Sequence, residues 1–471
     1  MDFSEYRMLD GVALGQLIES GAISARQAAE TAIKAIERLN PIFNAVVITD
    51  FERAVSAIDE TARGPLAGVP FLLKDVNLYS DFLPTRFASR YFRDARPRPD
   101  STMVRRWRDA GLTILGKTNT PEFAAEFVTE PGFYGRTLNP WNRSVTVGGS
   151  SGGAAAAVAS GMVPVAHATD LGGSIRIPAA CCGIFGFKPT SGLNPVGPYF
   201  EKLSSGLNSD HVLSWSVRDS AASLDVTAEH GPDGPGSSWL GNLSHPTGAL
   251  RIGMAVSDAS GTVAGANQVE AVERTARALE RLGHVIVDYR FPEQATVGGW
   301  FDHLWVPDIL DLIEDHARQT GRDPQSDALE PLTWEALARI RAAGPEGIAF
   351  AKSMMAITAA AYLDSMAGID LLLTPALARD PAPLGQLSYI DSGCDYDRWN
   401  DNGYAFAPYS ILANISGQPS AACPVMIAGN GLPIAIQIAG RPGQDMLVLQ
   451  VSRQLEEFFG WQSHRNRIPE Y

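Results

Sequence analysis

Cysteine is scarce in this chain, which has only four such residues among 471. Their spacing matches neither a set of metal ligands nor the paired framework of a disulfide-rich protein. We therefore expect reduced thiols and no metal site, and nothing in the sequence calls for a cofactor. The four residues are Cys181, Cys182, Cys394 and Cys423.

Long hydrophobic runs are also missing: no uninterrupted apolar stretch reaches the roughly 20 residues that a membrane span needs. Residues 1–15, MDFSEYRMLDGVALG, carry acidic side chains where a secretory signal has a basic segment followed by an apolar one. We therefore predict a cytoplasmic protein without a membrane partner.

Clustered positive charge is the third absence. The formal net charge is −14, and the loose series of arginines from Arg86 to Arg108 is interleaved with Asp94 and Asp100. Binding to nucleic acid phosphates needs clustered basic side chains, so nucleic acid is not an expected partner. By contrast, 45% hydrophobic and 19% charged residues are typical of an ordinary globular protein with a large core.

The sequence does contain an alternation of short apolar runs and helical patterns, which is typical of α/β proteins. Residues 69–73 are predicted to form a buried strand that ends at Lys74, and residues 293–367 are predicted to be largely helical. No repeat or linker-like segment divides the chain. We therefore expect a single domain over residues 1–471.

Two long segments are predicted to be loops. Residues 119–147 are rich in proline, glycine and aromatic residues, and residues 391–418 are predicted to form an aromatic loop. Loops of this length inside compact domains are usually functional, so we expect both to line a cleft. We expect the helical segment around Trp300 to Trp334 to contribute to its wall as well. The aromatic content of these segments favours an apolar or aryl group on the ligand. An equally good alternative is that most of these aromatic side chains belong to the core.

The stretch from Gly148 to Lys188 holds two serines in glycine-rich settings, Ser150 and Ser174. Between them, a small-residue run with high helix propensity precedes a mostly apolar run, so we predict a loop, a helix, a strand and a second loop. Such an excursion returns the chain to the side of the sheet where it started. The two hydroxyl groups can then share one pocket.

The glycine-rich loops admit several interpretations on spacing alone, including turns without a function. Phosphate binding is disfavoured because neither a Gly-Lys-Ser/Thr ending nor a GxGxxG pattern is present. His167 and Asp170 precede Ser174 and suggest a Ser-His-Asp triad. However, His167 lies in an apolar run, where a core histidine is commoner, and neither serine lies in a GxSxG turn.

Lys74 is the other candidate base. A lysine can accept a proton only if burial or neighbouring positive charge lowers its pKa. The apolar strand before Lys74 offers such burial, whereas an isolated lysine would more often be a surface residue paired with the adjacent Asp75.

Several motifs closely resemble the amidase signature family. They are GVPFLLKD at residues 68–75, GKTNTPEF at 116–123, GGSSGG at 148–153 and DLGGSIRIPAACCGIFGFKPT at 170–190. The resemblance implies an α/β fold with a mixed central β-sheet that is covered by helices on both faces. It also divides the single domain into a signature core at about 65–200, a helical insertion at about 293–367 and a C-terminal part of the core at about 368–460.

The resemblance implies a Ser-cisSer-Lys triad in which Ser174 is the nucleophile, Ser150 follows a cis peptide bond and Lys74 is the base. The backbone amides implied for the oxyanion hole are those of Leu171, Gly172, Gly173 and Ser174. Residues expected to support the triad are Ser151, Asp170 and Arg176. Residues expected to contact the substrate are Phe123, Ala124 and Gly149.

The implied reaction is hydrolysis of a linear carboxylic amide of small size, with release of ammonia or an amine. A homodimer is one assembly that the sequence allows. One alternative is the A subunit of a glutamyl-tRNA amidotransferase, which supplies ammonia from glutamine to a partner, and another is a non-catalytic binding protein. The run TEPGFYGRTLNPWN at residues 129–142 is similar to members related to the aminohexanoate cyclic dimer hydrolase, which does not by itself assign a substrate.

Three residues depart from the family pattern. Leu171 takes a position often held by threonine, while Ala88 and Ala435 stand where many members have glycine. These departures leave the implied triad unchanged and affect the expected shape of the pocket.

Overall fold

A single eleven-stranded sheet forms the centre of the protein. The computed structural model describes residues 1–200, 202–469 and 471. The strands are β1 (Val46–Thr49), β2 (Pro70–Lys74), β3 (Thr113–Thr118), β4 (Val165–Asp170), β5 (Phe185–Lys188), β6 (Ser209–Ser214), β7 (Arg251–Met254), β8 (Val285–Asp288), β9 (Leu371–Pro375), β10 (Ser420–Ile427) and β11 (Pro433–Ala439).

Helices flank this sheet. They are α1 (Phe3–Tyr6), α2 (Gly11–Glu19), α3 (Ala25–Phe43), α4 (Phe51–Ser56), α5 (Thr102–Asp109), α6 (Gly152–Ser160), α7 (Arg176–Cys182), α8 (Val217–Thr227), α9 (Trp239–Asn242), α10 (Ala266–Arg281), α11 (Val306–Thr320), α12 (Pro331–Ser365), α13 (Tyr389–Ser392), α14 (Tyr396–Phe406), α15 (Ile411–Ile415) and α16 (Asp445–Phe459). Among the described residues, no helix is both long enough and apolar enough to cross a membrane.

The sheet is mixed, which confirms the predicted fold class. Its order is β1-β3-β2-β4-β6-β5-β10-β11-β9-β7-β8. Strands β2, β3 and β4 run parallel to one another, as do β7, β8 and β9, and the other pairs are antiparallel. Strands β2, β4, β9 and β11 are buried along their whole length, because helices cover the sheet and leave no face that alternates between core and solvent.

The parallel pairing of β2 with β4 positions the candidate site. Because parallel strands end at the same edge of a sheet, Lys74 at the end of β2 and Asp170 at the end of β4 lie at one edge. The helix between the two serine loops is α6, and all nine of its residues are buried. The predicted loop, helix, strand and loop are therefore present in that order.

The segment at 293–367 is largely helical, as predicted. It contains two short 3₁₀ helices, then α11 and α12. The 35-residue helix α12 is interrupted at Gly344, whose φ of 59° lies outside the helical region, and Pro345 follows it. Proline cannot donate the next helical hydrogen bond, so the chain bends there.

The prediction of an aromatic loop at residues 391–418 is wrong, because most of this segment is helical. Helix α14 begins after Asp395, whose side chain accepts a hydrogen bond from the backbone N–H of Arg398. Tyr396, Trp399 and Phe406 are buried on one face of α14. Their spacing has a helical period, but the high aromatic content of the segment led to its prediction as a loop. Residues 119–147, by contrast, contain only a short 3₁₀ helix, Glu122–Ala124.

Candidate active site

Lys74 is the last residue of β2, and its side chain is completely buried. Its Nζ lies 2.7 Å from Ser150 Oγ, 2.9 Å from Ser151 Oγ and 2.8 Å from Thr169 Oγ1, and donates to these hydroxyls. No carboxylate is among these three partners. Side chains from the end of β2, the first serine loop and the end of β4 therefore meet at Lys74 Nζ.

Burial lowers the pKa of Lys74 to about 7, although the negative charges of Asp210 and Asp170 oppose this shift. A lysine in water has its pKa near 10.4, so only a buried one holds a substantial neutral fraction near neutral pH. The surroundings of Lys74 therefore meet the requirement for a lysine base.

Asp75, the next residue along the chain, does not pair with Lys74. Its carboxylate is 3.9 Å from the Nζ of Lys117, which is also fully buried, and it accepts hydrogen bonds from the backbone N–H of Arg86 and from the hydroxyl of Tyr134. Successive residues of a strand point to opposite faces, so adjacent charges need not meet. The interpretation of Lys74 as a surface residue paired with Asp75 is wrong.

The first serine loop packs closely against residues 119–147. The Gly149–Ser150 peptide bond is cis. A Cβ on Gly149 would lie 2.6 Å from the backbone nitrogen and oxygen of Val128, which leaves no room for a side chain. Ser151 accepts a hydrogen bond from the backbone N–H of Thr169, and its own hydroxyl donates to the Thr169 carbonyl.

The second serine loop is held by the carboxylate of Asp170. That carboxylate accepts hydrogen bonds from the backbone N–H groups of Gly173 (2.8 Å) and Ile175 (3.0 Å). Gly173 has a φ of +134°, a region that side chains rarely adopt. Ser174 lies between these two anchored residues and is half-buried. The loop therefore has a defined backbone around Ser174.

Arg176 connects this loop to the rest of the domain. Its guanidinium pairs with Asp170, with Nη2 2.8 Å from Oδ1, and both side chains are completely buried. It also donates to the Ser410 carbonyl and to the side chains of Gln437 and Asn414. Burial by itself would raise the pKa of Asp170, but the charge and hydrogen bonds of Arg176 prevail and lower it to about 2.

Replacing Asp170 by asparagine is expected to lower the free energy of unfolding by about 3–5 kcal/mol, because Arg176 would stay buried without its ionic partner. The wild-type carboxylate should lose its stabilising effect as the pH falls through its folded pKa of about 2. Urea denaturation measures the change. The matched control is Asp81→Asn, which removes a half-exposed carboxylate 3.0 Å from Arg108 and should cost less than about 1 kcal/mol. Equal losses in the two variants would contradict this account.

His167 does not take part in a Ser-His-Asp triad. It is fully buried in β4, its Nδ1 accepts a hydrogen bond from the backbone N–H of Lys74 (3.1 Å), and its Nε2 is 3.0 Å from Asp210. Nδ1 is the acceptor, so Nε2 carries the proton. Both ring nitrogens are therefore engaged away from Ser174. The interpretation of His167 as a core histidine agrees with this geometry.

One pocket contains both serines. Ser150 and Ser174 line it together with five other residues that the sequence assigned to the site, namely Phe123, Ala124, Gly149, Leu171 and Gly172. Lys74, Ser151, Asp170, Gly173 and Arg176 are not among the lining residues and lie behind them. The structure thus places every predicted site residue either in the wall of the pocket or directly behind it.

Sequence reasoning missed Thr169 and located several other residues of this site only by segment. Thr169, the third hydroxyl partner of Lys74, is the residue before Asp170 at the end of β4. This position next to a predicted site residue is the feature from which the sequence could have identified it. From the helical segment, Phe301, Asp302 and Trp305 line the pocket, as do Trp399 and Tyr404 of α14. Both segments were expected to contribute to the cleft wall, but the sequence did not indicate which of their side chains reach it, because these contacts join segments more than a hundred residues apart. Among the described residues, no group of three or more His, Cys, Asp or Glu side chains could hold a metal ion.

Comparisons with known proteins identify the family. A family model described as Amidase matches residues 27–449. The 6-aminohexanoate-cyclic-dimer hydrolase of Pseudomonas sp. (strain NK87) is 35% identical over 480 residues, which cover 98% of this chain and 96% of that protein. A solved structure of 6-aminohexanoate cyclic dimer hydrolase complexed with substrate has a TM-score of 0.91 and 33% identity, and covers 97% of this chain and 98% of that chain.

The A subunit of glutamyl-tRNA(Gln) amidotransferase from Thermotoga maritima has a TM-score of 0.72 and only 23% identity, over 97% of this chain and 94% of that chain. This likeness shows a shared fold and does not favour the amidotransferase alternative. The family model and the more similar relatives extend over nearly the whole chain. The protein therefore belongs to the amidase family, the amidase signature hydrolases that act on amide C–N bonds.

Proposed function

We propose that this amidase cleaves its substrate through an acyl-enzyme on Ser174, using a proton relay of Ser150 and Lys74. The observation that carries the proposal is the 2.7 Å contact between Lys74 Nζ and Ser150 Oγ beside a pocket that Ser150 and Ser174 both line. Ser151 and Thr169 hold the same nitrogen from other directions. They orient the amine toward Ser150 and act as positioning residues.

The first step requires Lys74 in its neutral form. Ser174 attacks the carbonyl carbon of the amide while its proton passes to Ser150, whose own proton passes to Lys74 Nζ. The carbonyl oxygen becomes an oxyanion that faces the backbone amides of Leu171, Gly172 and Ser174. Gly173 was expected to contribute as well, but its N–H is already donated to the Asp170 carboxylate. Asp170 supports these amides by holding the loop through the N–H groups of Gly173 and Ile175. Such preorganised donors stabilise the developing negative charge.

The second step breaks the C–N bond. The relay returns the proton through Ser150 to the leaving nitrogen, which departs as ammonia or an amine and leaves an ester on Ser174. Water then attacks this ester, gives its proton to the relay and releases a carboxylic acid, which restores Ser174 and neutral Lys74. Each proton that Lys74 accepts is returned within the same half-reaction.

The substrate that we propose is a linear amide of small size with an apolar chain. Phe123, Phe301, Trp305 and Ile309 support an apolar chain, because all four line the pocket. A relative is named a 6-aminohexanoate-cyclic-dimer hydrolase, so a cyclic amide is the second candidate. We also propose that the chain forms a single catalytic domain, that the protein is cytoplasmic and that it assembles as a homodimer.

A panel of substrates tests this proposal. It comprises a linear aliphatic amide, an anilide, the cyclic dimer of 6-aminohexanoate and glutamine, with release of ammonia or amine measured for each. We expect kcat/KM for the linear aliphatic amide to exceed that for glutamine by at least about tenfold, because discrimination by an apolar pocket is worth about 1–3 kcal/mol. If the enzyme cleaves only the cyclic dimer, its substrates are cyclic amides and not the linear amides proposed here. Glutaminase activity without activity on simple amides would favour the amidotransferase alternative.

A further inference from the structure

Asp302 is a buried carboxylate in the wall of the pocket. It belongs to the 3₁₀ helix Gly299–Leu304, and only 6% of the residue is exposed. The ring of the adjacent Phe301 lies 3.9 Å from the position that a Cβ on Gly172 would take. Asp302 thus follows a residue that packs close to the second serine loop, and it lines the pocket that contains Ser174.

All hydrogen-bond donors described for this carboxylate are neutral. Oδ2 accepts from the Tyr396 hydroxyl and from Asn400 Nδ2, both at 3.0 Å, and Oδ1 accepts from Trp305 Nε1 at 3.2 Å. The Tyr404 hydroxyl, which lines the same pocket, is a fourth neutral partner of this carboxylate. Buried carboxylates are usually paired with a cation, and these neutral partners do not supply one.

The surroundings offer no protein counter-ion at the pocket. Among the described residues that line it, none is a lysine, arginine or histidine. Arg339 acts on Asp302 from a distance, but its guanidinium is bound to Asp397 and Glu335 at the surface. Phe301, Trp305, Ile309 and Leu312 provide an apolar lining on the same side.

We infer that Asp302 determines specificity in this pocket by binding a primary ammonium group at the end of an aliphatic chain of the amide substrate. This inference rests on the proposed amide hydrolysis and names the substrate class within it. The apolar side chains cover the methylene groups, and the ammonium supplies the positive charge that the neutral partners of Asp302 lack. A carboxylate at the same end of the chain would be repelled.

Two other carboxyl groups line the pocket, and neither fits this role as well. Burial raises the pKa of Glu126 to about 8, so this group is largely uncharged at neutral pH. Asp308 is only half-buried and accepts a hydrogen bond from the backbone N–H of Ser204. Burial also raises the pKa of Asp302, but only to about 6, because the donors and the charge of Arg339 oppose the shift. At pH 7, Asp302 is therefore mainly ionised while Glu126 is largely neutral.

The test compares pairs of amides in which a methyl group replaces the ammonium. One pair carries the charge on the acyl side, 6-aminohexanamide against heptanamide, and the other on the amine side, N-(5-aminopentyl)acetamide against N-hexylacetamide. For at least one pair we expect the charged amide to have a kcat/KM about 10- to 100-fold higher at pH 7, as expected for a hydrogen bond to a charged group. Adipic acid monoamide, which bears a carboxylate, should be the poorest substrate. Equal values within both pairs would overturn the inference.

The variant Asp302→Asn should bring the ratio within the preferred pair close to one. The control is Asp311→Asn, which removes an exposed carboxylate of α11 outside the pocket and should preserve the ratio. If the ratio of kcat/KM values falls equally in both variants, the preference for the charged amide comes from long-range charge, and the inference is overturned. If Asp302→Asn does not fold, the wild-type ratio at pH 5 serves instead. It should fall toward one as Asp302 takes up a proton, and an unchanged ratio would contradict the inference.

Binding separates this inference from the proposed hydrolysis. If the wild type cleaves no member of either pair, the proposed hydrolysis of linear amides has failed. Titration calorimetry with the Ser174→Ala variant then compares the binding of 6-aminohexanamide and heptanamide. Tighter binding of the charged amide, lost when Asp302→Asn is added, would sustain the role of Asp302. Equal binding of the two amides would overturn it.

Discussion

Replacing Ser174 by alanine is expected to lower kcat by at least about 10⁴-fold, because loss of the nucleophile of a serine hydrolase removes the covalent route altogether. Ser174 lines the pocket beside Ser150, and its loop is held by Asp170, so the remaining site should keep its shape. Substrate binding should change little. The loss is therefore expected in kcat, with KM similar to that of the wild type where any turnover is measurable.

Mass spectrometry after rapid acid quenching should detect the acyl-enzyme of a slow ester or anilide in the wild type and none in Ser174→Ala. A fluorophosphonate probe should likewise add its mass to the peptide that contains Ser174. The matched control is Ser353→Ala on α12, whose exposed hydroxyl bonds only to the Ala349 carbonyl. This variant should behave as the wild type. Substantial turnover by Ser174→Ala, or labelling at another serine, would contradict the assignment.

Replacing Lys74 by methionine is expected to lower kcat by about 10²–10⁴-fold, which is the usual contribution of general acid–base catalysis. Methionine has a similar length and suits a fully buried position, so the fold should tolerate it. The hydroxyls of Ser150, Ser151 and Thr169 would remain, but the atom that accepts the proton would be absent. Initial rates at saturating substrate measure this loss.

The pH dependence gives a second readout of Lys74. Since its pKa is about 7 and the proposed relay needs the neutral amine, kcat/KM of the wild type should rise with pH through about 7 and fall away below it. Lys188 is the matched control, because burial lowers its pKa to about 7 as well and its Nζ donates to the Pro189 carbonyl instead. The rise should persist in Lys188→Met and be absent from the residual activity of Lys74→Met. The opposite pattern would assign the titration to Lys188.

Much of the fold followed from local patterns. The strand before Lys74, the small-residue helix α6 and the strand β4 were predicted from apolar runs and glycine boundaries, and all three are present. The mixed sheet and the amidase family followed from the motifs at 68–75, 148–153 and 170–190, and both are confirmed. The roles of Ser174, Ser150 and Lys74 remain predictions that the variants above test.

The errors share a physical cause. The aromatic residues of α14 were interpreted as a loop because tyrosine and tryptophan have weak helix propensity, whereas packing of Tyr396, Trp399 and Phe406 on one face stabilises the helix. The adjacent charges of Lys74 and Asp75 suggested an ion pair. In the folded chain they diverge, and Asp75 meets Lys117 from β3. In both cases contacts between distant segments outweighed the local preference.

The sequence alone determined the chemical groups of the site and their order along the chain: a lysine after a buried strand, and two serines at either end of a short helix and strand. It could do so because apolar runs and glycine boundaries act locally. Only the tertiary structure decided how completely Lys74 is buried, that Thr169 joins its partners and that Asp302 lines a pocket whose other described lining residues include no lysine, arginine or histidine. Burial and electrostatic environment arise from segments far apart in the chain, so no local pattern could encode them.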